Sequence, residues 1–277
     1  MSLRSETPID VAADVRLAAS GATVASAGTS MTSDLSIDEE FNLHAIGWEP
    51  VELVSGVSVV SIPAGMWNWG QGEIAGATEA HALAFKNAID RIEKEAGAAG
   101  GQGVVGVHIE RTVHSTHVEI SLLGTAVRPV ALKRVELNHV FVSDLSARDF
   151  ARLMVAGWEP LGLATGASFV YAPRRSVGAV FQQQTQNIEL TNFTEAMYSA
   201  RESAMARMQE SALALGGTGV VEVKVVEGPM SFATHAIKFV SWGTVVRLAA
   251  SSHQLVQPTT VVSLNDAAVA FDAATLE

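Results

Sequence analysis

The chain says nearly the same thing twice. Ser33-Asp34-Leu35-Ser36 is followed, after a gap of ten residues, by Gly47-Trp48-Glu49-Pro50, and Ser143-Asp144-Leu145-Ser146 is followed, after the same gap, by Gly157-Trp158-Glu159-Pro160. A tandem duplication means two copies of one supersecondary unit, so the fold has to be built per copy. The match continues through Leu53, Gly56, Ser58 and Val60 against Leu163, Gly166, Ser168 and Val170, and through Thr78-Glu79-Ala80 against Thr194-Glu195-Ala196. It ends with Gly103-Val104-Val105, Gly124-Thr125 and Val127-Arg128 against Gly219-Val220-Val221, Gly243-Thr244 and Val246-Arg247. Register slips only between Ser61 and Ala77 and between Val107 and Gly124, which marks loops or strand ends. A third echo, Ser263-Leu264-Asn265-Asp266, stops before another copy begins. The expected division is a flexible Ala/Ser-rich tail (1–32), repeat one (33–129), a linker (130–142), repeat two (143–249) and a C-terminal extension (250–277). The copies are expected to superpose from Asp34 to Arg128 and from Asp144 to Arg247, with 104–109 and 220–226 in like surroundings.

A chain of 277 residues gives each copy roughly one hundred, enough to bury a core. The net charge of −11 argues against nucleic acid or an anionic membrane as a partner, since both need clustered cations. There is no cysteine, which removes disulfides and thiolate metal sites and is compatible with a reducing compartment. No apolar run approaches the roughly 20 residues of a membrane span. Asp10 and Asp14 interrupt the place where a signal peptide would be apolar. A cytoplasmic location is expected.

Each unit opens with a short helix. Ser36 and Glu39 form a capping box and Ser146 with Asp149 a weaker one, while Gly47 and Gly157 suit left-handed C-caps before Pro50 and Pro160. A strand follows at 51–62 and 161–171, read as bent at Gly56 and Gly166. The long helix is expected from about 78 to 96, with Ala82, Phe85, Ile89, Ile92 and Ala96 as its apolar face. In copy two Tyr198, Met205, Met208, Ala212 and Leu215 take those roles. Two antiparallel strands complete each unit, at 104–109 with 118–127 and at 220–226 with 236–248. The fold class is α+β, a helix on a three-stranded antiparallel sheet with a short helix before it. The opposite sheet face then needs a cover from the other copy, another subunit, or both.

The strand with Gly56, the Ala-rich helix, Gly100-Gly101-Gln102-Gly103-Val104-Val105-Gly106-Val107 and Gly124-Thr125-Ala126-Val127 resemble the YbjQ-like family of heavy-metal-binding domains. Leu215-Gly216-Gly217-Thr218-Gly219-Val220-Val221 and Gly243-Thr244-Val245-Val246 carry the resemblance in copy two. The resemblance implies a dodecin-like subunit, ring-shaped homo-oligomers with five subunits preferred, and a divalent transition metal as ligand. The family's Gly-Gly-Arg loop and Tyr-Glu pair are replaced here by Ile74-Ala75-Gly76-Ala77-Thr78-Glu79, where only the Glu matches.

Histidine is the one borderline metal ligand present in number. His108, His114 and His117 gather near the turn between the last two strands of copy one, with Glu119 following, and His108 is expected to face His117. The plainer alternative is a set of exposed polar positions, and copy two repeats only His235 near the place of His117, with Lys224 in place of His108. Trp48 and Trp158 read as core packing of the short helix or as interface anchors, and Trp67 and Trp69 as a ligand wall or an oligomer contact. No Gly-x-Ser-x-Gly elbow is present, and the glycine run 97–106 follows a helix rather than a strand, the reverse of a phosphate loop. These residues describe a non-catalytic oligomeric protein that binds a small ligand or metal or serves as a scaffold. The alternative is an enzyme with a His/carboxylate site between subunits.

Overall fold

The computed structural model describes residues 31–63, 72–131, 139–172, 189–230, 233–253, 260–262 and 270–272. Copy one comprises α1 (Ile37–Ala45), β1 (Trp48–Ser61), the two-residue β2 (Gly72–Glu73), α2 (Ala75–Ala99), β3 (Gly103–Val113) and β4 (His117–Pro129). After β5 (Phe141–Val142), copy two repeats the order as α3 (Ala147–Val155), β6 (Trp158–Tyr171), α4 (Thr191–Ala214), β7 (Gly219–Met230) and β8 (Ala233–Leu248). A small hairpin follows, β9 (Thr260–Val262) against β10 (Ala270–Asp272). The tail before 31, the Trp67–Trp69 loop and the echo at Ser263 lie outside the described residues. No helix among the described residues is long and apolar enough to cross a membrane.

Local chemistry sets these boundaries alike in both copies. The Ser36 hydroxyl accepts from the Glu39 amide, and the Glu39 carboxylate accepts from the Ser36 amide at 2.9 Å, a complete capping box. Ser36→Ala is expected to cost about 1 kcal/mol, read as a lower urea midpoint at unchanged slope. Gly47 (φ +76°) and Gly157 (φ +83°) turn the chain out of the short helices. Pro50 and Pro160, which have no amide to give a ladder, sit where the register of β1–β4 and β6–β8 shifts. A second shift follows Val105 in copy one and Val221 in copy two. There copy one has Gly106 at φ +65°, but copy two has Glu222 at φ +52°, a conformation that costs a side chain about 1 kcal/mol or more.

The helix α2 runs beyond its expected ends, and both long helices bury part of the expected face, Phe85, Ile92 and Ala96 in one and Met208 and Ala212 in the other. In α2 the buried stripe is Ala84, Ala88, Ile92 and Ala96 with Phe85, while Ala82 is exposed. In α4 it is Ala196, Ala200, Ala204, Met208 and Ala212, every fourth residue, and Tyr198 faces water. Close approach to the strand selects these small residues. A Cβ on Gly56 would lie 2.1 Å from the Ala88 carbonyl oxygen, and one on Gly166 2.0 Å from that of Ala204. Both glycines are therefore contact points under a helix rather than bends.

The sheet of each copy has four strands, not three, in the orders β1-β4-β3-β5 and β2-β6-β8-β7. The fourth strand comes from outside the unit. β5, which leads into copy two, runs parallel to β3 of copy one, and β2 of copy one runs antiparallel to β6 of copy two. α2 lies between the sheets, so one core joins Val54, Ile92 and Ile120 with Phe169, Tyr171, Val240 and Trp242. Among the described residues α4 packs chiefly on β6 and β8 of its own sheet. The surroundings of the two copies consequently differ, against expectation. Gly103, Val104 and Val105 are buried beside β5, whereas Gly219, Val220 and Val221 lie half-buried on a sheet edge.

Candidate functional site

The β3–β4 hairpin is closed by the His114 amide donating to the His117 carbonyl at 2.8 Å. This closure brings together His114, His117 and Glu119, whose nearest ligand atoms all lie within 4.8 Å of one another. His117 Nε2 is 2.9 Å and His114 Nε2 3.9 Å from Glu119 Oε1. The imidazoles stack with centroids 4.4 Å apart. Ligands held about 2.0–2.2 Å from one ion stand roughly 3–3.5 Å from each other, so small side-chain shifts would complete a three-residue site with its last position open. His117 Nδ1 is 2.9 Å from Thr116 Oγ1, the outer hydrogen bond that orients metal-binding imidazoles.

His108 does not join this group. β3 runs on to Val113, so the turn falls beyond it and His108 pairs with Leu123, well back along the ladder, while His117 pairs with Ser61 on β1. The His108 ring lies 3.8 Å from Glu110. It also lines a cleft of about 360 Å³ with Asp34, Thr125, Asp144, Glu222 and Lys224. In that cleft the Asp144 carboxylate is buried, accepts from Thr244 Oγ1 at 2.8 Å and meets Lys224 Nζ at 3.2 Å. Burial pushes the Lys224 ammonium down, but the Asp144 and Glu222 charges outweigh it and hold the group above its ordinary value. Asp34, Thr125 and His108 stand at the matching places in copy one, and there the Asp34 amide donates to Thr125 at 3.1 Å.

The tryptophans divide. Trp48 is partly buried and packs edge-on against Phe150 (5.2 Å) and Phe141 (6.0 Å), both from the second copy or its leader. The Trp158 indole N–H donates to His253 Nδ1 at 2.8 Å on the surface. Trp67 and Trp69 lie outside the described residues.

Two groups escaped the sequence reading. Glu73, on β2, receives both Arg207 nitrogens (2.5 and 2.9 Å), Ser168 Oγ and Thr78 Oγ1 (both 3.1 Å). The Arg207 hydrogen bond holds this carboxyl below its ordinary value, against the opposing effect of burial. Its signal was available, because Glu189 precedes the second long helix as Glu73 precedes the first. His81 is fully buried between Phe85 and Phe169, with no hydrogen-bond partner for Nε2 among the described residues. Burial, aided by the Arg111 charge, pushes its pKa down to about 3, so the ring is neutral at physiological pH. Nothing in an Ala-rich helix pattern singles it out.

The comparisons with known proteins agree with the duplication. The family model described as "Putative heavy-metal-binding" matches twice, over residues 49–129 and 171–249. A Mycobacterium tuberculosis protein named as an encapsulin nanocompartment protein is 36% identical over 236 residues, which is 82% of this chain and 89% of that protein. A UPF0145 protein of Halorubrum lacusprofundi is 38% identical over 93 residues, 32% of this chain but 85% of its own length. The first match is long enough to reach into both copies, and the second is about the length of one. No solved structure matches the chain. With the same family model falling once on each copy, this chain is a tandem member of the YbjQ-like family.

Proposed function

We propose that the chain is a non-catalytic, self-associating protein that holds a divalent transition-metal ion on the β3–β4 hairpin through His114, His117 and Glu119. The observation that carries this reading is the convergence of two imidazoles and a carboxylate within 4.8 Å at a turn closed by its own backbone bond. Imidazole with carboxylate suits zinc, nickel or copper, and the family's description points the same way. Self-association is supported by the relative named as an encapsulin nanocompartment protein, and a ring of five belongs to this proposal.

Calorimetric titration of the full chain with zinc or nickel tests the metal. Binding should release protons as the imidazoles lose theirs. A His114→Ala, His117→Ala variant is expected to lose at least about tenfold in affinity, and Thr116→Val, which removes only the outer hydrogen bond, about tenfold or more. His108→Ala should bind like the parent chain. Equal affinity in parent and double variant would rule the hairpin out.

A further inference from the structure

The groups that form the junction between the copies occur a second time among the described residues of the same chain. Within the chain, copy one gives copy two a helix flank and a carboxylate. The α2 flank bearing His81 covers the outer face of β6, where Ala167 and Phe169 are 5% and 0% exposed. Glu73 binds Arg207 and Ser168. In return the leader of copy two lies along β3, with Ser143 donating to the Val104 carbonyl at 2.9 Å. Gly103 is the floor of this contact, since a Cβ there would fall 2.0 Å from the Phe141 ring.

Every one of these groups has a counterpart. Val57 and Val59, on the matching outer face of β1, are 50% and 60% exposed. Arg91 holds the place of Arg207 and donates to the Val57 carbonyl as Arg207 does to that of Ala167. Ser58 matches Ser168 in the repeat. Glu189 accepts from Thr194 Oγ1 at 2.9 Å, as Glu73 does from Thr78, but it is exposed. Gly219, the counterpart of Gly103, has only Val246 within 4 Å, and Met31, the counterpart of Phe141, is 39% exposed.

We infer that a second copy of this chain fills these places, so that copy two of one chain meets copy one of the next through a repeat of the internal junction. In it Glu189 of one chain binds Arg91 of its neighbour, and the neighbour's Met31 and Thr32 add a strand to β7. The α4 flank then covers Val57 and Val59, apolar side chains otherwise left together in water. The two surfaces differ, so the contact is head-to-tail and closes into a ring when its rotation permits. The inference deepens the self-association proposed above and is independent of the metal.

Light scattering of the full metal-free chain at low micromolar concentration tests it. The parent should show a multiple of 29.1 kDa. Glu189→Arg and Arg91→Glu should each drop the mass to a single chain, and the two together should restore it, because the pair is remade with its charges exchanged. Val57→Glu with Val59→Glu should also give single chains of unchanged circular dichroism, as both side chains already face water. A parent of 29.1 kDa, single variants of parental mass, or a double variant that stays single would each overturn the junction. Nickel affinity is measured on the same samples and decides only the hairpin, so either reading can fail without the other.

Discussion

Gly166→Ala is expected to destabilise copy two by about 3 kcal/mol or more, at the upper end of overpacking costs. The new methyl would sit 2.0 Å from the Ala204 carbonyl oxygen and 2.7 Å from the Met208 amide nitrogen. Both atoms are backbone, in the middle of a helix, so no rotamer change relieves the clash. The helix must retreat by about an ångström along a seam where Ala200, Ala204 and Ala212 are buried. Contact is then lost along its length, because dispersion falls off within such a gap. Gly56→Ala should act alike in copy one, against Ala88 and Ile92. The check is a thermal melt, with a fall of about 5 °C or more expected for a loss of this size in a chain of this length. A melt within about 2 °C of the parent would show that the helix is not held at this distance. Gly47→Ala is the contrast, since nothing lies within 4 Å of its Cβ and only the left-handed φ is strained.

These glycines show what was legible and what was not. The repeat showed that both positions matter, but a strand glycine reads equally as a bend or as a close approach, and only the partner backbone separates the two. The capping boxes, the long helices and the β3–β4 hairpin follow from local rules and could be read directly. The buried stripe of α2 could be read only in part: Phe85, Ile92 and Ala96 stand out, but the alanines look alike on every side and Ala82 was as eligible as Ala84. β2 and β5 are two residues each, too short for any periodicity, yet they carry the exchange between the copies. His108 does not face His117 because β3 continues past Ile109 to Val113 through the polar Glu110-Arg111-Thr112, which carries the turn away from His108. His114, His117 and Glu119 were legible because a tight turn keeps sequence neighbours together.

Acid should weaken the join between the copies through His81. This imidazole has a pKa of about 3 in the fold, against 6.5 for an ordinary histidine. Below pH 6.5 the unfolded chain therefore binds a proton that the folded chain excludes. The contribution to stability is complete above pH 6.5 and falls by about 1.4 kcal/mol for each unit below it, until the folded pKa is reached. Over that whole window the loss is about 4–5 kcal/mol, a large share of a typical domain's stability. Arg111, whose guanidinium lies 4.6 Å over the Trp242 ring, adds to the cost of a second positive charge in the same core. Glu73 also loses a contribution in acid, because its carboxyl is held below 4.5 in the fold, but that term belongs equally to a His81 variant. His81→Leu keeps nearly the same volume between Phe85 and Phe169 and removes the titrating group. Urea unfolding of both chains from pH 7 to pH 4.5 isolates the difference. The variant should gain on the parent by about 3 kcal/mol across that span, since two units of the window lie within it. Parallel stability curves would mean that the folded chain accepts the proton at His81, and that the ring is less sealed between the two sheets than its surroundings imply.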